Sequence, residues 1–365
     1  MGHQRKRTDS NLPVLFHSQK KTMTPLLGKT IIELQEITDT LGMPKFAAKQ
    51  IAQWLYMKRV RSIDEMTNLS KDNRSMLASE YTIGYKEPIG AARSTDGTIR
   101  YLFATPAGKP IETVYLPEHE RATLCISSQI GCKMNCYFCM TGKQGFNGQL
   151  SAHQIINQIF AIPESSQLTN LVFMGMGEPL DNWKELRKAL DIITAPWGMA
   201  WSPKRVTVST IGQMQHLPDF LQESHCNLAI SLHSPFADER QRLMPVQKAY
   251  PISEVIALLK TYDWTHQREL TFEYIVFRGL NDDRHHAQAL LRLLKGLPCK
   301  VNLIRFHAIP DVELKSSDLK AMEAFRDYLC QHGLITTIRA SRGEDIYAAC
   351  GMLSSKKEEE RHVKE

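Results

Sequence analysis

Three cysteines within eight residues are the strongest chemical signal in the chain. Cys132, Cys136 and Cys139 follow a C-x3-C-x2-C spacing. That spacing lets three thiolates converge on one soft metal centre. A structural zinc site wants a fourth ligand. Three thiolates on an iron–sulfur cluster instead leave one iron open to a substrate. The ordinary alternatives are a zinc knuckle or a set of core cysteines. Five other cysteines complete the total of eight. Cys350 stands in Ala348-Ala349-Cys350-Gly351, where small neighbours suit an accessible loop. A lone cysteine is more often a small buried hydrophobe, and that is the expectation for Cys226, Cys299 and Cys330. Gly175-Met176-Gly177-Glu178-Pro179 combines glycines that let backbone approach a ligand with a carboxylate that can accept from an amino group. On its own it also reads as a turn with a capping glutamate.

These residues need a scaffold. The chain has 365 residues, 42% hydrophobic and 23% charged, which excludes general disorder and leaves room for a sizeable core. No apolar run approaches the roughly 18 residues of a membrane span, and no signal or lipidation motif opens the chain, so a cytoplasmic location is expected. Residues 1–21 read as a flexible basic tail, 22–88 as a helical accessory domain, 89–120 as a β extension and 354–365 as a charged tail. From residue 121 to 353, short β-rich runs alternate with helical patterns. The runs begin at Thr123, Asn170, Arg205, Asn227, Leu270 and Val301. Six such units predict an α/β fold, a parallel sheet closed only partly into a (β/α)6 barrel. The cysteine loop then sits at the carboxyl end of the first barrel strand, where such folds place their chemistry.

The C-x3-C-x2-C loop, with the aromatic Phe138 beside its third cysteine, resembles the cluster motif of the radical S-adenosylmethionine (SAM) enzymes. The resemblance narrows further. Arg121 to Cys132, Gly145-Phe146-Asn147, Gly175 to Pro179, Val206 to Thr210, Ser231 to Pro235, Leu243-Met244-Pro245 and Arg342 to Gly351 follow, in order, the motifs of the RlmN/Cfr family of ribosomal-RNA adenine methyltransferases. It implies a [4Fe–4S] cluster on Cys132, Cys136 and Cys139. It implies SAM bound by Gly177, Glu178, Ser209, Ser231, Leu232 and His233, with His307 at a position where a relative has Asn. It also implies two SAM molecules per turnover. Cys350 would take a methyl group from the first. After a radical is generated from the second, the methyl carbon would be joined to C2 of adenine. Cys125 would then release the RNA by forming a disulfide with Cys350. Glu112 matches the family's acceptor of the C2 proton, a role that Cys125 could also fill.

The implied substrates are adenosine 2503 of 23S rRNA, in protein-poor precursor form, and adenosine 37 of some tRNAs. An electron donor such as flavodoxin or ferredoxin is implied, no membrane, and a monomer. Two rivals remain at this point: a C8-methylating Cfr-type enzyme, and a non-catalytic metal-bound RNA-binding protein. Charge suggests where RNA is held. The net charge is +6, yet the first 61 residues carry 11 basic and 4 acidic side chains. The remaining chain is close to neutral. Lys45, Lys49, Lys58, Arg59 and Arg61 are therefore expected to contact phosphates. The competing reading is a solvated helix face anchored by Trp54.

Overall fold

The computed structural model describes residues 23–264 and 268–354. One ten-stranded sheet dominates, with its strands in chain order across it. They are β1 Gly90–Arg93, β2 Ile99–Phe103, β3 Ile111–Glu118, β4 Arg121–Cys125 and β5 Asn170–Phe173. There follow β6 Val206–Thr210, β7 Asn227–Ser231, β8 Leu270–Val276, β9 Cys299–Arg305 and β10 Thr336–Ile338. From β1 to β4 neighbours pair antiparallel. From β4 to β10 every pairing is parallel. The parallel strands are apolar along most of their length because both faces are covered; β8 is buried or half-buried at every position.

All six expected barrel strands form, within two residues of the starts given above. A seventh parallel strand, β10, was not anticipated. It is only three residues long and has one buried position, too little pattern to register as a strand. The helix before it, Leu319–Gln331, is capped by Asp318. The residues at 89–120 supply β1–β3, which continue the barrel sheet through the β3–β4 pair.

Ahead of the sheet lie helices Ile31–Thr40, Ala47–Ala52 and Lys71–Glu80, the last capped by the Ser70 hydroxyl. The segment that carries them docks on the barrel helices Ala152–Phe160 and Trp183–Thr194. Lys86 and Asn157 exchange two hydrogen bonds at 2.9 and 2.7 Å, and Lys188 pairs with Glu33 at 2.6 Å. Among the described residues, no helix is long and apolar enough to cross a membrane. The tails at 1–21 and 355–365 lie outside the described residues.

Candidate active site

The cysteine loop leaves a two-strand ribbon, Gln129–Gly131 with Phe146–Gln149. Neighbouring backbone pins it in place. The Tyr137 amide donates to Leu243 O at 2.8 Å, and the Met140 amide to Gly351 O at 2.8 Å. Cys132, Cys136 and Cys139 line one cavity of about 140 Å3 at the carboxyl ends of the barrel strands. Among the described residues, no three His, Cys, Asp or Glu side chains close round a single-ion position. Three thiols spread along one cavity wall fit a cluster, in which each would bind a different iron. Burial pushes Cys132 up to about 12 and Cys136 well above its ordinary range. A cationic occupant would reverse that by favouring the thiolates.

Gly177, Glu178, Ser209, Ser231 and His233 line the same cavity. The Glu178 carboxylate accepts from the Thr210 hydroxyl at 2.5 Å, the Ile211 amide at 3.0 Å and the Leu180 amide at 3.1 Å. Burial nevertheless raises its pKa to about 7. His233 adopts a left-handed backbone, φ 59°, a strained choice for a side chain of its size. Its Nδ1 accepts from the Ile275 amide at 3.0 Å, so the proton sits on Nε2. Burial, with Arg240 nearby, lowers its pKa to about 3 and keeps the ring neutral. Phe138 packs edge-on against it, ring centres 4.7 Å apart. Leu232 is fully buried and lines neither cavity; its amide donates to Glu273 O at 3.0 Å and its carbonyl accepts from the Ser234 amide at 2.8 Å.

A second cavity, of about 630 Å3, runs through the barrel interior, from Arg121 and Lys300 at the amino ends of their strands to Cys125 and Arg305 at the carboxyl ends. Cys125 and Cys350 both line it, and Cys350 borders the cluster cavity as well. The Cys350 thiol is open to the lumen but crowded by protein. That crowding pushes it up to about 11, while Arg339 pulls the other way. Burial pushes Cys125 up to about 12, again opposed by Arg339. His307 lies in this larger cavity rather than with the other expected SAM contacts. Its Nε2 is 2.6 Å from the Ser341 hydroxyl.

Glu112 lines neither cavity. It is fully buried, paired with Arg100 at 3.4 Å, and accepts from the Ser354 amide at 2.7 Å. In this structure it ties β3 to the chain just beyond Cys350.

Three side chains at the site escaped the sequence reading. Arg240 is fully buried and donates to Ile211 O and Ser231 O, holding the ends of β6 and β7 together. Glu273 lines both cavities, accepting from Asn302 at 3.0 Å. Arg339 donates to Met174 Sδ at 3.1 Å and faces both Cys125 and Cys350. A single charge inside a strand reads as surface alternation, and β10, which delivers Arg339, left no pattern. Of the other cysteines, Cys226 is buried as expected, but Cys299 is half-buried and Cys330 exposed. Cys330 falls on the outer face of the last turn of its helix.

The basic patch divides. Lys45, Lys49 and Lys58 are exposed, and Lys58 Nζ lies 3.5 Å from the centre of the Trp54 ring. Arg59 donates to Ser165 at 2.9 Å and stacks on Phe160. Arg61 pairs with Glu87 at 3.3 Å and stacks on Tyr85.

Residues 126–291 match the model of the radical SAM superfamily. Residues 24–83 match that of the ribosomal RNA large subunit methyltransferase N-terminal domain. The chain is 61% identical over 338 residues to the probable dual-specificity RNA methyltransferase RlmN of Bacteroides thetaiotaomicron, covering 93% of this chain and 98% of the relative. It is 40% identical over 344 residues to the dual-specificity RNA methyltransferase RlmN of Marinobacter nauticus, covering 92% and 93%. A crystal structure of a radical SAM methyltransferase from Sphaerobacter thermophilus superposes with a TM-score of 0.85 at 36% identity, over 91% of this chain and all of that one.

Proposed function

Because the chain belongs to the RlmN family of radical SAM RNA methyltransferases, we propose that it methylates C2 of adenosine 2503 in 23S rRNA and of adenosine 37 in some tRNAs. The carrying observation is the position of Cys350, between the cavity of the cluster thiols and the cavity that holds Cys125. An adenine C2–H is neither acidic nor nucleophilic, so a methyl group cannot be passed to it by polar displacement. A protein-bound carbon resolves this, and Cys350 faces both the methyl source and the space open to RNA.

The cluster on Cys132, Cys136 and Cys139, when bound, would supply the electron that cleaves SAM and so opens a radical route. Gly177, Glu178, Ser209, Ser231 and the Leu232–His233 backbone would hold SAM, two molecules being used per turnover. The Cys350 thiolate attacks the methyl carbon of one SAM; an S–C bond forms on Cys350 and S-adenosylhomocysteine leaves. Once that carbon is joined to C2 and the C2 proton is removed, the Cys125 thiolate attacks the Cys350 sulfur; the S–S bond forms, the Cys350 S–C bond breaks, and its electron pair with one proton completes the methyl group on the freed RNA. Arg339 favours the thiolate at both positions. Glu112 or Cys125 accepts the C2 proton; for Glu112 this requires the segment around Ser354 to move aside.

The base must be unstacked to enter the larger cavity. Arg121, Lys300, Arg305 and Arg342 in its wall suit flanking phosphates. A monomeric cytoplasmic enzyme, served by a flavodoxin- or ferredoxin-type donor and acting on protein-poor precursor rRNA, completes the reading. Nucleoside mass spectrometry on modified rRNA and tRNA tests it. The expected product is 2-methyladenosine; 8-methyladenosine alone would replace the reading by a Cfr-type activity, and a zinc-loaded protein without SAM turnover by a binding role.

A further inference from the structure

We propose that Asp96 and Asp345 are positioning residues for Cys350, through a clasp between the β1–β2 turn and the loop that carries the thiol. The inference rests on Cys350 being the methyl carrier.

The chain from Ser341 to Ser354 contains a single 3-10 turn, Glu344–Ile346, and no other regular element. Such a segment holds a reactive thiol in place only if both its ends are tied down. The trailing end is fixed beside the cluster loop. Met140 N donates to Gly351 O at 2.8 Å, the Thr141 hydroxyl to Leu353 O at 2.8 Å, and Ser354 N to Glu112 at 2.7 Å. The leading end is fixed on the hairpin turn. Asp345 accepts from the Ser94 hydroxyl at 2.6 Å and the Thr95 amide at 3.1 Å. Asp96 accepts from the Gly343 amide at 2.9 Å, and its carbonyl from Arg342 at 3.3 Å.

The bonds are reciprocal, one carboxylate from each side gripping the other side's backbone. Packing makes the fit tight. Gly343 has φ 63°, and a Cβ there would lie 2.8 Å from Thr98 Cγ2 and 3.0 Å from Ala348 Cβ. Burial would raise the Asp96 pKa, but the Thr98, Gly343 and Ser94 bonds outweigh it and hold it at about 2. Asp96 is therefore an anion, the stronger acceptor, at any physiological pH.

β2 of this hairpin is buried in the core, but β1 is the edge of the sheet and mostly exposed. Its turn nevertheless reaches a loop about 250 residues on. Cys350 has to address SAM on one side and Cys125 on the other, and a displacement of about 1 Å at a reacting atom can cost on the order of 100-fold in rate. Two of the four clasp bonds are exposed and two part-buried, so a thermal melt run beside the kinetics separates rate from stability in the test.

The experiment compares Asp345→Ala, Asp96→Ala, Ser94→Ala and the Ser94→Ala/Asp345→Ala double variant in the full, cluster-loaded chain. The clasp predicts that kcat falls at least about tenfold with KM for RNA little changed. It predicts more 5′-deoxyadenosine formed per methyl delivered, and a double variant no slower than its slower parent. It also predicts faster iodoacetamide alkylation of Cys350, read by peptide mass spectrometry without SAM or RNA. Ser94→Ala removes one hydroxyl and keeps the test alive if an aspartate variant does not fold. A kcat within twofold of the parent enzyme, or a lower kcat with unchanged alkylation, overturns the clasp. Methyl transfer surviving in Cys350→Ala would instead overturn the reading on which the clasp rests.

Discussion

Met140 follows the third cluster cysteine and Gly351 follows Cys350, and the amide of the first donates to the carbonyl of the second at 2.8 Å. Two segments over 200 residues apart in sequence are thereby set in register at the one point where their chemistry must meet. Gly351 makes this possible. Its φ is 85°, and a Cβ would come 3.1 Å from Phe138 O.

Gly351→Ala therefore has both a backbone and a contact problem. A left-handed alanine costs about 1 kcal/mol, and Phe138 O must give way. The expected outcome is a folded protein whose Cys350 is methylated more slowly in the presence of SAM. Intact-protein mass spectrometry reads the added methyl group directly. A methylation rate equal to that of the parent chain would show that the register does not matter.

Cys125→Ala separates the two reactive thiols. Cys125 lines only the larger cavity, so its loss leaves the methyl-transfer side intact. The resolving attack on the Cys350 sulfur is then missing. A covalent protein–RNA species is expected to accumulate under turnover conditions, visible as a nuclease-sensitive shift on a denaturing gel. Normal release of methylated RNA by this variant would remove Cys125 from the resolving role.

Much of this architecture could be read from the chain. The six barrel strands are short apolar runs separated by amphipathic helices, and the cysteine triplet is local in sequence. What could not be read is long-range. The Ser94–Asp345 bond joins residues 251 apart, and no local pattern marks Asp345 as more than a polar loop residue. Arg339 depends on β10, too short to show a period. Glu112 kept its strand but not its expected surroundings: its carboxylate turns away from the cavities to Arg100 and Ser354. The average charge of the barrel also concealed the arginines and lysine gathered at the larger cavity.

Glu178 would make the proposed SAM site sensitive to pH. Burial raises its pKa from the usual 4.5 to about 7, against three hydrogen bonds. The folded protein thus holds a proton between about pH 4.5 and 7 that the unfolded chain has lost. This group's effect on stability turns unfavourable as pH rises through that window. Binding runs the other way, because the carboxylate accepts best from the SAM amino group when ionised. SAM affinity of the parent chain is expected to fall, by up to tenfold per unit, as pH drops below about 7. Glu178→Gln should bind more weakly at pH 8 and lose that part of the pH dependence. Parallel curves for the two proteins between about pH 6 and 8 would rule out this titration.

RNA affinity offers a test of the helical module. Lys45, Lys49 and Lys58 are exposed, Lys58 over the Trp54 ring, whereas Arg59 and Arg61 contact Ser165, Phe160, Glu87 and Tyr85. The five basic residues expected to act alike therefore split into two classes. Replacing the three lysines by Gln removes cations from solvent without touching the docking surface. Each lost phosphate contact lowers the salt slope of binding by roughly 0.7–0.9, so the triple variant should lose about 2 to 3 from the slope and keep its melting temperature. Arg59→Ala should do the reverse: a lower melting temperature, since a packed guanidinium and its bond to Ser165 are lost, with little change in slope. Both are read from fluorescence anisotropy across a salt series alongside thermal melts. An unchanged slope in the lysine variant would move the phosphate grip to Arg121, Lys300 and Arg305 in the wall of the larger cavity, and the corresponding triple substitution there would then have to carry the loss.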